Sequence, residues 1–366
     1  MKKTINILAI LVTLFLTNCV TKFDAPDNSP TNGGQIISDT LYIQQTPIWK
    51  GFNRPQDIIV GKETFIYVAD TDNDRIVMLN LAGHVVGERA IKKPIAIAQD
   101  FQFNLIVCAQ FDTLFPGESI PKTYSAVFKL NMVKAGHIIA DAPIKRLLPR
   151  AKTISDFSRT DRIFTGVTTF FDNSFFVSRR GPINGGTIGL INPDNSILVF
   201  RKKELADGSK IDTLVGRVPL LEPLGTGLMS AYNISSLSSY SGNTYDMNVT
   251  LIGDNSFKTQ ILEYVVNDDF TGYQNKIPPF STNLMTVAKF EKPEGTTLDI
   301  FDNIFVADAA KDSIFKFNSF GDEMESFGGP EVFSSPHAVA YFDKTLYVAD
   351  TDNNRILRFV LSTDVD

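Results

Sequence analysis

Cysteine is nearly missing from this chain: Cys19 and Cys108 are the two in 366 residues. A disulfide framework is excluded if Cys19 has another use. Cys108 lies in Leu105-Ile106-Val107-Cys108-Ala109, the pattern of a buried strand, and reads as a small core residue rather than a reactive thiol. Histidine is equally scarce, with His84, His137 and His337 only. Basic charge is in deficit: the formal charge is −6, and −8 once Lys2 and Lys3 of the leader are set aside. Such a chain is a poor general partner for nucleic acid, where phosphate neutralisation supplies most of the affinity. No apolar run is long enough to span a bilayer, since Ile5 to Leu16 covers only 12 positions. There is no Gly-x-Ser-x-Gly, no His-Glu-x-x-His and no phosphate loop; Gly185-Gly186 lacks the strand–helix setting. Catalysis by paired carboxylates stays open, because 41 acidic residues offer many pairs. Helical periodicity is scarce throughout.

What is present is a repeat. Ile66-Tyr67-Val68-Ala69-Asp70-Thr71-Asp72-Asn73-Asp74-Arg75-Ile76-Val77 returns as Leu346-Tyr347-Val348-Ala349-Asp350-Thr351-Asp352-Asn353-Asn354-Arg355-Ile356-Leu357. A weaker copy runs from Ile304 to Phe315. Each is a β-branched and aromatic run, a polar turn and a second alternating run, the signal of a hairpin. Hydrophobic content of 43%, with 29 Phe, is enough for a large core. Recurrence along a chain with almost no helical pattern marks a repeat architecture.

These segments follow Arg54-Pro55-Gln56-Asp57-Ile58 and Ser335-Pro336-His337-Ala338-Val339, and the whole unit resembles the NHL repeat. The resemblance implies a β-propeller, usually six-bladed, with four antiparallel strands per blade. In blade one the strands, inner to outer, would be Ile58–Val60, Ile66–Ala69, Ile76–Leu79 and His84–Ala90. Aligning the end of the second strand gives Asp70, Gln110, Arg179, Asp254, Asp308 and Asp350. The first step is 40 positions and the last 42; the longer middle steps read as insertions, with a seventh blade as the alternative. The C-terminal copy lacks an outer strand, and Leu41–Trp49 has nothing before it to pair with. Joining them closes the ring and leaves no open edge. The fold expected is all-β, a six-bladed β-propeller over residues 36–366.

The first residues read as an address. Met1-Lys2-Lys3, the apolar run and Leu16-Thr17-Asn18-Cys19 resemble a bacterial lipoprotein signal, with Asn18 departing from the usual small residue. Residues 1–18 would be cleaved, Cys19 lipidated, and 19–35 would form a flexible tether. An ordinary cleaved signal with a chance Cys is the alternative. The localisation implied is the bacterial cell envelope, with the folded part held beside the membrane.

Function is sought where the chain departs from its own repeat, because loops on a rigid scaffold carry it. Extra residues fall at Phe111–Tyr124, Arg179–Gly186, Leu148–Arg162 and Leu205–Gly227, all assigned to turns or connections over blades two to four. Arg159, Arg162, Arg179 and Arg180 lie there, with Arg150, Lys152, Arg201, Lys202 and Lys203 nearby. Arginine forks suit carboxylate, sulfate or phosphate. A solvated charged rim is the plainer reading. Asp70, Asp254, Asp308 and Asp350 could ring the channel and hold a cation, or cap their own turns. Arg75 and Arg355 would pair with turn carboxylates.

Some NHL propellers are amidating lyases, whose chemistry needs several histidines on zinc. Here only His337 falls at a channel-lining strand start; its blade-one counterpart is Gln56, and His84 and His137 fall on the opposite face. Other propeller hydrolases hold calcium at inner-strand starts, where Asp57, Thr168, Asn233 and the Thr286 segment make a poor cage. The expectation is a non-catalytic envelope protein, without cofactor or metal, binding a protein, anionic glycan or anionic small molecule. Its candidate ligand residues are Gln110, Arg159, Arg162, Arg179, Arg180 and His337. A metal-dependent hydrolase or lyase acting in the channel is the alternative. A structural subunit, with Phe111, Leu114 and Phe115 on an apolar face, is a third possibility.

Overall fold

The computed structural model describes residues 41–114, 119–150, 157, 159–218, 233–254 and 256–365. Cys19 and the segments expected to be leader and tether lie outside them. Six antiparallel sheets follow one another along the chain. Blade one holds Pro55–Val60, Ile66–Asp70, Arg75–Leu79 and Val85–Ala90. Blade two holds Lys92–Gln99, Asn104–Thr113, Lys122–Asn131 and Ile144–Leu148. Blade three holds Ile163–Thr169, Phe175–Arg180, Ser196–Glu204 and Lys210–Arg217. Blade four holds Ile234–Ser239, Met247–Leu251, Thr259–Val266 and Thr271–Asn275. Blade five holds Pro293–Leu298, Ile304–Asp308, Ser313–Phe317 and Glu323–Gly328. Blade six takes Pro336–Phe342, Thr345–Asp350 and Arg355–Leu361 from the C-terminal end. Its outer edge is paired by Tyr42–Gln44 and Trp49–Lys50 from the other end of the described chain.

The second strands are buried on both faces, as at Ile66–Asp70 and Ile304–Asp308, because each blade packs against two neighbours. Outer strands alternate, as at Val85–Ala90, with one face in water. Apolar clusters fill each gap between blades. One joins Tyr67 and Met78 of blade one to Val107 and Leu130 of blade two. Another joins Ile58 and Val68 of blade one to Ala340 and Ile356 of blade six. Cys108 is buried in the cluster between blades two and three, and burial pushes its thiol pKa up, so it is inert.

The inner strands run in one direction around the axis. Near their starts, Thr165 Oγ1 donates to Ile234 O at 2.7 Å and Ser235 Oγ to Pro293 O at 2.8 Å. Near their ends, Thr169 Oγ1 donates to Gln99 O at 2.8 Å and Ser239 Oγ to Thr169 O at 2.9 Å. All turns joining first to second strands therefore open on one face, and all turns joining second to third strands on the other. Gly295 permits the close passage of blade five beside blade six, since a Cβ there would meet His337 O at 2.6 Å.

The repeated Asp is a bolt between blades. Asp70 is fully buried; it accepts from Asn53 N at 2.6 Å, Asn73 Nδ2 at 2.9 Å and Arg75 Nε at 2.7 Å. Asp350 repeats this with Ser334 N, Asn353 Nδ2 and Arg355 Nε. Asp308 takes Glu291 N and Lys292 N. Each ties its own turn to the strand connection arriving from the preceding blade. Next to the bolt, Thr71 Oγ1 donates to Pro94 O, and Thr351 Oγ1 to Pro55 O.

Several sequence expectations need correction. Leu205–Ser209 is a turn within blade three, and Lys210–Arg217 is that blade's outer strand, not part of a connection. Residues 219–227, the end of that stretch, lie outside the described residues. Phe111–Tyr124 is not all loop, because the strands extend to the pairs Phe111↔Tyr124 and Thr113↔Lys122. The segment around Thr286 precedes the inner strand of blade five, which starts at Pro293. In blade four, Leu251 rather than Asp254 occupies the bolt position, beside the strand-start bulge opposite Ile234.

Candidate functional site

A cavity of about 510 Å³ lies along the axis, walled by all six inner strands. Its walls carry hydroxyls, among them Thr165, Thr168, Ser235, Ser236, Ser238 and Thr296. The mouth at the strand starts collects Arg54, Gln56, Arg180, Lys292, Glu294 and His337. Five of these come from three copies of one frame, a basic or polar residue, Pro, then a polar residue: Arg54-Pro55-Gln56, Lys292-Pro293-Glu294 and Ser335-Pro336-His337. Proline opens the strand, where no ladder N–H is needed, and the next side chain turns to the axis.

The groups at the mouth differ in how far they are satisfied. Lys292 pairs with Glu294 at 2.9 Å, and Arg54 lies 3.3 Å from Asp352. The side chain of Arg180, half-buried at the end of its strand, makes no hydrogen bond or ion pair among the described residues. Burial lowers its pKa, and the carboxylate of Glu294 acts against that shift. His337 is held below the ordinary histidine value by burial, again opposed by Glu294, so it is neutral near pH 7. Deeper, Asp57 accepts from Ile97 N at 2.6 Å and Ile58 N at 2.8 Å. Burial outweighs these bonds and raises its pKa to about 7.

The cavity does not gather the other sequence candidates. Arg159, Arg162 and Arg179 converge on Asp194, between the second and third strands of blade three. Arg159 pairs with one carboxylate oxygen, and Arg162 Nε donates to the other at 2.6 Å. Arg179 donates to Asp194 O at 3.0 Å and Pro193 O at 2.6 Å. Burial pushes the Arg179 pKa down to about 9, Arg162 adding to the shift. Arg179 occupies the bolt position, so in blade three a guanidinium bonded to backbone carbonyls stands where blades one, five and six carry the Asp. The loop it anchors includes a short helix, Gly186–Ile191. Gln110 pairs with Lys92 across the strands of blade two and does not line the cavity. Arg201 lies against Tyr245, and Lys202 pairs with Asp212.

Asp70, Asp308 and Asp350 are fully buried and off the axis, so they form no ring at the mouth. Asn233 precedes its strand and, like Thr286, is not among the cavity residues. No group of three His, Cys, Asp or Glu side chains converges among the described residues. With both oxygens of Asp57 facing N–H donors, the channel residues do not fit a metal cage. Glu294 escaped the sequence reading, although its Pro frame matches that of His337.

The NHL repeat matches residues 333–359, the start of blade six through most of its third strand. No curated protein matches the sequence. Among solved structures, a putative gluconolactonase is similar with a TM-score of 0.51 at 15% identity, over 86% of this chain and 90% of that one. The PQQ-bound aldose sugar dehydrogenase of Streptomyces coelicolor gives 0.51 at 11%, over 88% and 98%. A luciferin-regenerating enzyme gives 0.50 at 12%, over 85% and 92%. The chain is thus an all-β, six-bladed propeller with an NHL repeat in its last blade, similar in fold to these proteins.

Proposed function

We propose that this propeller binds a small anionic, hydroxyl-rich molecule, such as a sugar acid or sugar phosphate, in its central channel. The observation that carries the reading is Arg180: a guanidinium with no side-chain hydrogen bond or ion pair among the described residues, lining a cavity of about 510 Å³ walled by hydroxyls. Cavities of roughly 300–1,000 Å³ take small organic ligands, and an Arg fork fits a carboxylate or phosphate. The sequence placed the anion over blades two to four; the reading keeps Arg180 and His337 from that set and moves the ligand to the axis. Calorimetric titration with a panel of sugar acids and sugar phosphates tests it. Binding that weakens at least tenfold in Arg180→Ala supports the reading, and unchanged binding rejects it.

The protein would work from the bacterial envelope, anchored by acyl chains on Cys19. Lipid labelling of wild type, lost in Cys19→Ala, is the check. A second reading, a hydrolase or lyase acting in the channel, draws on Glu294 and His337, a carboxylate and a neutral imidazole at one mouth. Turnover of a lactone panel, abolished by His337→Ala, would favour it over simple binding.

A further inference from the structure

The face opposite the Asp bolts is unusually apolar at its loop tips. In blade five, Ile300 and Phe301 are 80% and 73% exposed in the turn between first and second strands. Phe320, 74% exposed, lies in the turn between third and fourth. The pairing Ile304↔Phe317 sets these two turns side by side at one end of the blade. Phe101, 53% exposed, takes the equivalent place in blade two. Bulky side chains at exposed tips gain nothing in an isolated propeller, and such patches mark a contact surface.

The chain itself says what lies beyond this face. Tyr42 pairs with Leu361 and Ser362 N donates to Leu41 O, so the polypeptide reaches the ring at the end of blade six on this side. Tyr42 packs edge-on against Phe305 of blade five and its hydroxyl accepts from Lys316 Nζ, the cross-strand pair next to Ile304↔Phe317, which puts that point near the Ile300, Phe301 and Phe320 tips. Cys19 stands 22 positions before Leu41. Asp302 and Asp322 lie in these turns of blade five and Asp343 in the corresponding turn of blade six, which disfavours an anionic surface.

We infer that this face rests on a zwitterionic lipid surface, with Ile300, Phe301 and Phe320 entering the headgroup layer and the channel mouth with Arg180 turned away from it. Aromatic and aliphatic tips inserted at the interface would fix the orientation of a propeller that acylation alone would only keep nearby. The inference deepens the envelope reading and is independent of the channel ligand.

The test uses full-length protein carrying Cys19→Ala, so that no acyl chain contributes. An environment-sensitive thiol dye is attached through Phe301→Cys, Phe320→Cys or, on the opposite face, Asp72→Cys; Cys108 is buried and does not compete. Thermal unfolding confirms that each labelled protein is folded. With phosphatidylcholine–phosphatidylethanolamine vesicles, emission at 301 and 320 should rise several-fold and be quenched by brominated lipid, while 72 does not respond. Lack of response at 301 and 320, or an equal response at 72, overturns the inference even if wild-type protein is still acylated at Cys19. It is also overturned if the rise occurs without lipid: concentration dependence would assign the face to a second copy, and its absence to the chain's own Ile5–Leu16 run.

Discussion

Asp194 and Asp57 are both carboxylates inside the ring, and they respond to pH in opposite senses. Burial alone would raise Asp194, but the bonds from Arg162 and Ile183 N, with Arg159 beside them, hold its pKa below the ordinary Asp value. Its stabilising effect is therefore complete above the ordinary Asp range and is lost as pH falls through the depressed value. Asp194→Ala would leave Arg159 and Arg162 without their carboxylate, and a buried pair broken on one side costs about 3–5 kcal/mol; chemical denaturation should show a loss of that size. Asp57 behaves the other way. The folded chain keeps its proton up to about 7, so stability falls as pH rises from the ordinary Asp value towards 7. Asp57→Asn should flatten that slope in thermal scans from pH 5 to 8. The same proton adds relative positive charge to a channel already holding Arg54, Lys62, Arg180 and Lys292 against Glu294. Anion affinity should rise as pH falls through 7, reinforced at lower pH as His337 charges, and Asp57→Asn should remove the step near 7.

At the scale of elements, the strands carrying the full repeat were legible because alternation, turn and bolt occur together in a dozen residues. Ile66–Asp70, Ile304–Asp308 and Thr345–Asp350 match their sequence readings to within a residue or so. Blade three was harder: Lys210–Arg217 is half-exposed and polar, so it read as loop, and the reversal of charge at Arg179 hid a bolt behind an apparent ligand site. Partners of a buried Arg are backbone carbonyls and one distant Asp, which composition does not reveal. Arg180 stands next to Arg179, and strand alternation sends the two to opposite surroundings. The bolts themselves predict a graded outcome. Asp350→Ala removes the acceptor for Ser334 N, Asn353 and Arg355 and should cost about 2–4 kcal/mol; Thr351→Ala, losing one buried bond to Pro55 O, should cost about 1 kcal/mol.

The whole molecule depends on a sheet made from both ends of the described chain. Tyr42 is gripped by Phe327 and Phe305 rings and by Lys316, whose Nζ donates to its hydroxyl at 3.1 Å. Trp49 adds its ring to the cluster between blades six and one. A chain lacking residues 41–50 should melt at least 10 °C lower by calorimetry, or lose its single cooperative transition. Six blades were readable from spacing and edge logic, since an unpaired strand at one end and a missing one at the other imply closure. The channel mouth was less so, because its lining comes one residue from each of several distant strands and only the Pro frame connects them. The most direct measurement is a crystal structure of the protein soaked with the tightest-binding sugar acid or sugar phosphate from the panel. The account predicts its anionic group within hydrogen-bonding distance of the Arg180 guanidinium, on the propeller axis; density over the Arg159, Arg162 and Arg179 loop, with the channel filled only by water, would contradict it.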